Sequence, residues 1–114
     1  MTEPAFRSVV EMFQHRVASS PGAEAMSGRR DGQWYSMTWT EAAQRVRAVA
    51  CGLLSLGFKK GERAAILATS SPEWVIADLG ILSAGGATST IYTSNTAEES
   101  AYILEDSGAK VCFV

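Results

Sequence analysis

Short apolar runs alternate with helical patterns through the second half of the chain. The run 63–68 is apolar, and the segment 72–84 after it has the length of a helix and is apolar on nearly every side. A second short run, 87–92, leads into another helix, and the run 110–114 follows that helix. Strands that alternate with helices are typical of a parallel sheet. We therefore expect an α/β fold of three layers, with a parallel βαβαβ sheet from about residue 63 and flanking helices.

A helix and a β-hairpin are predicted ahead of this sheet. Apolar residues recur at spacings of three and four over the segment 6–18, which indicates an amphipathic helix capped by Ser8 or the residues before it. The segment 23–39 contains two short strand-like runs on either side of Asp31-Gly32. Because a tight hairpin turn needs positive φ, this dipeptide predicts a β-hairpin.

Capping patterns mark the ends of two further helices. The run 38–41 is a capping box, in which a threonine hydroxyl and a glutamate carboxylate each accept a backbone N–H. The helix that it begins is predicted to stop at Gly57, with Phe58 folded back on Leu53. A second capping box, 96–99, begins the helix before the last strand.

The segment 72–84 raises the question of what covers it. Ser71 is a suitable N-cap and Pro72 a suitable first helical residue. A helix that is apolar all round is buried on more than one side, and a chain of 114 residues rarely provides that much cover. We therefore expect something outside the chain to cover part of this helix. Asp78 is its one unusual charge, either paired at an interface or exposed at a rim.

The last predicted strand has no helix after it. Parallel strands are normally covered on both faces, so the strand 110–114 looks unfinished. We interpret the C-terminus as a truncation, which predicts that the chain is an incomplete part of a larger domain.

Composition describes an ordinary globular chain that does not bind nucleic acid. Hydrophobic residues make up 46% and charged residues 19% of the 114 residues, with a formal net charge of −2. Phosphate-driven binding needs a basic surface, and none is indicated. Trp34 and Tyr35 suit a half-exposed strand pair better than a base-stacking platform, because interleaved positive charge is missing.

Neither the N-terminus nor the apolar runs indicate a targeting or transmembrane segment. The most apolar run, 75–82, is interrupted by Asp78 and is far shorter than a bilayer span of about 20 residues. Cys51 and Cys112 are far apart in sequence and lie among apolar residues, so we expect buried free thiols, as in the cytosol. The expected location is cytoplasmic, and peripheral association with membranes is left open.

Few residues are candidates for chemistry. Gly80 and Gly85 have the spacing of a phosphate-binding loop, but Gly86-Ala87 occupy the positions that need Lys and Ser or Thr, so a helix stop is the better interpretation. His15 has no partner at ligand spacing and is expected on the surface. Glu98 and Glu99 favour the positive end of a helix, which is a structural use.

A cluster of hydroxyl side chains between residues 88 and 96 leaves two interpretations. A phosphate or carboxylate site is one, and strand-edge and N-cap chemistry is the other and the one we favour. We assign no catalytic, cofactor-binding or metal-binding residue.

The stretch from Thr38 to Val114 resembles the N-terminal part of AMP-forming acyl-CoA synthetases, in the adenylate-forming superfamily. The residues that carry the resemblance are the runs 38–41, 52–57, 61–67, 71–74, 84–85, 91–92, 97–99, 102–104 and 106–114. Ile91-Tyr92 followed by 97–99 and 102–104 is most similar to the long-chain fatty acid–CoA ligase branch. The chain departs from the family pattern at Ser70, Gly86 and Thr90, which blurs the subfamily more than the fold.

The resemblance implies a two-step ligase that uses ATP, Mg²⁺ and CoA on a fatty acid. In that family the phosphate loop, the adenine-binding motif, the magnesium-binding glutamate and the catalytic lysine lie downstream of this segment. Residues 1–114 would then be the N-terminal part of the large domain, with a leading helix and hairpin in 1–37 and the family-like segment in 38–114. We expect this chain alone to be inactive and to bind none of the three cofactors, its partner being the remainder of the synthetase in the same or a separate chain.

Two other functions stay open. A non-catalytic module could pair with a separate chain that carries the active site, using the last strand and the helix 72–84 as its interface. A stand-alone flavodoxin-like nucleotide binder is the other, although no phosphate loop follows the first sheet strand.

Overall fold

A computed structural model of the protein describes residues 6–114. The chain forms two compact units, Met1–Arg45 and Val46–Val114. The boundary between them lies inside a helix, Trp39–Ser55. Within the described part, no helix is both long enough and apolar enough to cross a membrane.

The first helix, α1, spans Val9–Ser19. Its N-cap is Ser8, whose Oγ accepts the backbone N–H of Glu11 at 3.1 Å. The prediction of a helix capped by Ser8 is confirmed, and its start moves from residue 6 to Val9 because the cap residue itself is extended. Phe13 is the buried residue of α1.

The predicted hairpin is confirmed. Strand β1, Glu24–Arg30, pairs antiparallel with β2, Gln33–Thr38. The turn residues Asp31 and Gly32 have φ angles of 54° and 76°, so both adopt the left-handed conformation that this turn requires. Met37 on β2 is buried, 2% exposed.

The second helix, α2, spans Trp39–Ser55 and begins and ends as predicted. Thr38 and Glu41 exchange hydrogen bonds, each backbone N–H donating to the other residue's side chain at 3.2 Å. At the far end Gly57 has a φ of 88°, and the N–H of Phe58 donates to the carbonyl oxygen of Leu53 at 3.1 Å. This is a Schellman motif, and Phe58 and Leu53 also share the core. Leu54, the neighbour of Leu53, is exposed, because adjacent residues of a helix lie on different faces.

Three parallel strands form the predicted βαβαβ sheet. Strands β3, Arg63–Leu67, β4, Ala87–Ile91, and β5, Val111–Phe113, lie in the order β4-β3-β5. Helix α3, Pro72–Ser83, connects β3 to β4, and helix α4, Ala97–Ser107, connects β4 to β5. The crossover from β3 to β4 and the crossover from β4 to β5 run in opposite directions across the sheet. Right-handed connections therefore place α3 and α4 on opposite faces of the sheet.

Helix α3 is covered from two sides within its own unit. Its sheet side packs into a cluster of buried residues, namely Ala77, Ile81 and Ala84 with Leu53, Phe58, Ala64 and Ile66. On another side Gly80 lies directly against Val49 of α2. Because Gly80 has no side chain, α2 approaches closely, so more of this helix is covered from within the chain than its composition suggested. Val75, 38% exposed, is the one large hydrophobic residue of α3 that is exposed.

Asp78 lies half-buried on α3. Positions three and four residues apart share a helix face, so Asp78 lies beside Val75 and Leu82 on the open strip of α3. Within residues 6–114 the side chain of Asp78 has no hydrogen-bond or ion-pair partner. Of the two positions predicted for this charge, the structure therefore supports the one at a rim and not the one paired at an interface.

Helix α4 begins at the predicted capping box, but it has no buried residue. Its N-cap is Thr96, in a capping box with Glu99, and Gly108 ends it with a φ of 67°. Strand β5 is shorter than the predicted run 110–114, and its three residues are half-buried.

Candidate functional site

The carboxyl ends of the parallel strands form the edge of the sheet where a ligand site is expected. In open parallel sheets, ligands bind beyond the carboxyl ends of the strands, at the point where the strand order reverses. Here the order reverses between β3 and β5, so the segment after β3 borders the reversal point, whereas β4 lies on the other side of β3. The segments 68–71 and 92–96 follow β3 and β4 at this end of the sheet, and most of their side chains carry hydroxyl groups. We refer to these two segments together as the hydroxyl-rich edge.

The segment 68–71 has little capacity to bind a phosphate. Thr69 and Ser70 are exposed, but the Oγ of Ser71 already accepts the N–H of Trp74 at 3.2 Å. Pro72, the first residue of α3, has no N–H to offer an anion. Sequence reasoning did not single out this segment, since its position at the reversal depends on strand order, which the sequence pattern alone does not reveal.

The hydroxyl cluster between residues 88 and 96 divides into three parts. Thr88, Ser89 and Thr90 lie within β4, and Asn95 donates its N–H to the carbonyl oxygen of Tyr92 in a turn. The hydroxyl of Thr96 accepts the N–H of Glu99 at 3.1 Å. The N-cap interpretation is thus confirmed for Thr96. The Oγ1 of Thr88 is buried without a hydrogen-bond partner.

The glycines with phosphate-loop spacing are structural. Gly80 is buried inside α3. Gly85 ends that helix with a φ of 85°, and its N–H and that of Gly86 donate to the carbonyl oxygens of Leu82 and Ile81, both at 3.0 Å. This is a second Schellman motif, which confirms the helix-stop interpretation.

The carboxylate of Glu99 serves the helix end. Its Oε1 accepts the backbone N–H of Thr96 at 2.8 Å. This hydrogen bond, and then the one with the Thr96 hydroxyl, hold the pKa of Glu99 below its ordinary value, because both favour the ionised form. The predicted structural use is confirmed for this residue.

No candidate metal centre or general base emerges from the described residues. His15 is exposed, with Nε2 at 3.3 Å from the Oγ of Ser19 and its ring 5.1 Å from that of Phe6. Its predicted surface position is confirmed. Residues 6–114 contain no group of three or more His, Cys, Asp or Glu side chains placed to hold a metal ion.

The two cysteines differ from the expectation of buried thiols. Both are free, but Cys51 is exposed and Cys112 is half-buried. The prediction failed for Cys51 because apolar neighbours along a helix lie on different faces, so they do not decide which face Cys51 occupies. Burial raises the pKa of the Cys112 thiol, which makes it less reactive at neutral pH.

Shallow grooves in the described part of the chain, residues 6–114, include two with well-defined linings. One, of about 370 Å³, lies along the start of α4 and is lined by Asn95, Glu98, Glu99, Tyr102 and Ile103. The other, of about 320 Å³, lies at the amino ends of β3 and β5 and is lined by Leu56, Gly57, Phe58, Lys59, Glu62, Lys110 and Val111. In neither groove does a side-chain hydrogen bond join a nucleophile to a base among the described residues, so neither has the arrangement of a catalytic centre.

Comparison with known proteins places this geometry in a family. Residues 13–114 match the family model described as AMP-binding enzyme. The long-chain-fatty-acid–CoA ligase FadD15 of Mycobacterium bovis is 43% identical over 83 residues, which cover 73% of this chain and 14% of that protein. The solved Mycobacterium tuberculosis fatty acyl CoA synthetase superposes with a TM-score of 0.81 at 30% identity, over 90% of this chain and 20% of the solved chain.

A much shorter relative also matches. The uncharacterized protein Rv1549 of Mycobacterium tuberculosis is 31% identical over 104 residues, which cover 91% of this chain and 58% of that protein. The chain thus spans about a seventh of the ligase that it matches and more than half of this shorter protein. From the family match, the chain belongs to the AMP-binding enzyme family.

Proposed function

We propose that the chain is the N-terminal part of an ATP-dependent long-chain fatty acid–CoA ligase, and that its residues form a scaffold and take no part in the chemistry. The observation that supports this most is the similarity to the Mycobacterium bovis ligase. The similar fold of the solved fatty acyl CoA synthetase supports it further.

The proposed reaction has two steps. A fatty acid carboxylate attacks the α-phosphate of ATP, which forms an acyl-adenylate and releases pyrophosphate. The thiol of CoA then attacks the acyl carbon, which forms the thioester and releases AMP. Mg²⁺ would supply positive charge to the phosphates in the complete enzyme.

The described residues do not fit ATP or Mg²⁺. The Oγ of Ser71 is engaged in capping, Pro72 lacks an N–H, and Gly80 and Gly85 belong to a helix and its stop. No group of acidic side chains or histidines within residues 6–114 is placed to hold a metal ion. We therefore assign no step of the reaction to these residues, and propose that residues outside this chain carry it out.

The packing explains what a scaffold here would do. Ala64, Ala65 and Ile66 of β3 are at most 1% exposed, so the central strand is covered on both faces. A close-packed strand and helix hold the elements joined to them at defined positions. We propose that residues 1–114 form this part of the large domain, with 1–37 as leading helix and hairpin and 38–114 as the family-like segment.

A chimera tests the proposal directly. The matching segment of the Mycobacterium bovis ligase is replaced by this chain, and palmitoyl-CoA formation is measured. We expect the chimera to remain active, because the catalytic groups stay in the recipient protein. A matched variant with Ile66→Asp should lose activity through unfolding, since a charge would be buried in β3. A folded chimera that neither adenylates palmitate nor forms the thioester would contradict the proposal.

A second candidate function rests on the shorter relative. A chain that spans 58% of an entire protein supports a free-standing, non-catalytic module that pairs with a separate chain. To separate the two proposals, this chain is mixed with the remainder of the ligase expressed as its own polypeptide. Pyrophosphate exchange that appears only on mixing would favour the module. We propose a cytoplasmic location in either case.

A further inference from the structure

The tip of the β1–β2 hairpin carries aromatic rings with arginines stacked on them. We call residues 29–35 the hairpin tip. The ring of Trp34 lies 5.3 Å from the guanidinium carbon of Arg29, its directly opposite cross-strand neighbour. The ring of Tyr35 lies 4.9 Å from the guanidinium carbon of Arg30. The hairpin tip thus contains two cation–π pairs.

Trp34 does not contribute to a core. It is 71% exposed, whereas Met37 on the same strand is 2% exposed. Trp34 and Met37 lie on opposite faces of β2, because side chains alternate along a strand. A large aromatic side chain that is this exposed is available to contact a partner.

The arginine beside Trp34 keeps most of its donors available. One guanidinium nitrogen of Arg29 donates to the carbonyl oxygen of Gly32 at 3.3 Å, which holds the side chain over the turn. A guanidinium has five N–H donors, and stacking on a ring uses its face and not its edge. The remaining edge therefore suits a phosphate oxygen.

The chemistry of the tip is that of the membrane–water interface. Indole and phenol rings have an apolar body and a polar tip, and they are enriched where a bilayer meets water. Two arginines and one aspartate, Asp31, give the segment 29–35 a net charge of +1, in a chain whose formal net charge is −2. Cationic residues near a surface are attracted to anionic headgroups.

We propose that the hairpin tip attaches the protein peripherally to a bilayer with anionic headgroups, Trp34 entering the headgroup region and Arg29 binding a lipid phosphate. The advantage of attachment to a bilayer rests on the proposed function. A long-chain fatty acid partitions into bilayers, so an attached ligase has access to its substrate there. The surface itself is a property of the hairpin and does not depend on catalysis.

Vesicle sedimentation tests the attachment. The purified chain is mixed with vesicles of phosphatidylcholine alone, or of phosphatidylcholine with phosphatidylglycerol, without ATP or fatty acid. We expect stronger partitioning to the anionic vesicles, and a loss of about tenfold with Trp34→Ala and about fivefold with Arg29→Gln. Raising the NaCl concentration to about 0.5 M should remove most of the Arg29-dependent part.

Tyr102→Ala is the matched control. The exposed fraction of Tyr102, 68%, is similar to the 71% of Trp34. Tyr102, however, lies on α4 in an acidic segment. This variant should partition as the parent chain does. Circular dichroism of each variant verifies that the hairpin and helices are retained.

Tryptophan fluorescence gives an independent measurement. Trp34 is exposed, while Trp39 and Trp74 are half-buried, so a blue shift on adding anionic vesicles should come from Trp34 and disappear in Trp34→Phe. Equal partitioning to both vesicle types, or unchanged partitioning of Trp34→Ala, would overturn the proposal. Self-association that Trp34→Ala abolishes, without vesicle binding, would assign the tip to a protein contact and would also overturn it. Because no turnover is measured, failure here leaves the chimera result unaffected.

Discussion

Replacing Gly80 with alanine sets helix propensity against packing. In an isolated helix the change would stabilise by about 1 kcal/mol, because glycine loses more backbone entropy than alanine. In this structure an added Cβ at Gly80 would lie 2.6 Å from the Cβ of Val49, which is closer than real Cβ contacts come. The backbone fixes the position of the Val49 Cβ, so no rotamer change removes the clash, and α2 and α3 must move apart.

The cost of packing decides whether Gly80→Ala raises or lowers the free energy of unfolding. Forcing extra atoms into a close-packed interior costs about 1–3 kcal/mol. The overlap is with a Cβ that the backbone fixes, so we place the cost at the upper end of this range, about 2–3 kcal/mol. With the propensity gain of about 1 kcal/mol subtracted, we expect Gly80→Ala to lower the free energy of unfolding by about 1–2 kcal/mol. Urea titration followed by circular dichroism at 222 nm measures it as a lower midpoint with an unchanged slope.

Gly52→Ala is the matched control. Gly52 lies in α2, and an added Cβ there meets nothing within 4 Å. Only the difference in helix propensity should therefore change the stability of Gly52→Ala, and we expect a stabilisation of about 0.5–1 kcal/mol. Combining Gly80→Ala with Val49→Ala should cost less than the sum of the single changes, because the second removes atoms near the clash. The reasoning would be refuted by a Gly80→Ala variant as stable as Gly52→Ala.

Three further changes test separate features. Ser71→Ala should lower stability by about 1 kcal/mol, since it removes the hydroxyl that caps α3, and urea titration measures it. Iodoacetamide should label Cys51 several times faster than Cys112, because Cys51 is exposed and burial raises the pKa of the Cys112 thiol; peptide mapping by mass spectrometry that finds equal rates would contradict this. The capping box makes the pKa of Glu99 lower when folded than when unfolded, so its ionised form stabilises the fold above the ordinary value near 4.5, and this contribution is lost as pH falls through the lower folded value. The urea midpoint of the parent chain should therefore fall relative to Glu99→Gln between pH 5 and pH 3, whereas a constant difference would argue against the capping role.

Much of the fold followed from the order of local patterns. The alternation of short runs with helices predicted the βαβαβ segment, and the Asp31-Gly32 dipeptide predicted the hairpin turn. The order of the strands within the sheet was not predictable in this way. It depends on which distant segments pair, so the reversal point beside Ser71 became visible only in the sheet.

The residues that begin and end the helices are close together along the chain. The caps at Thr38, Ser71 and Thr96 and the stop at Gly57 each depend on residues within five positions along the chain, so the sequence contains their full chemical cause. Such interactions form wherever the local backbone permits them.

What covers each element, by contrast, depends on contacts between segments that are distant in sequence. The α3 segment has the same apolar composition whether its cover comes from within or from outside, and the contact between Gly80 and Val49 joins positions far apart in sequence. Cys51 likewise became an exposed residue through the orientation of α2. Burial depends on how all the elements pack, so local pattern predicted the helices of this protein but not the surfaces they share.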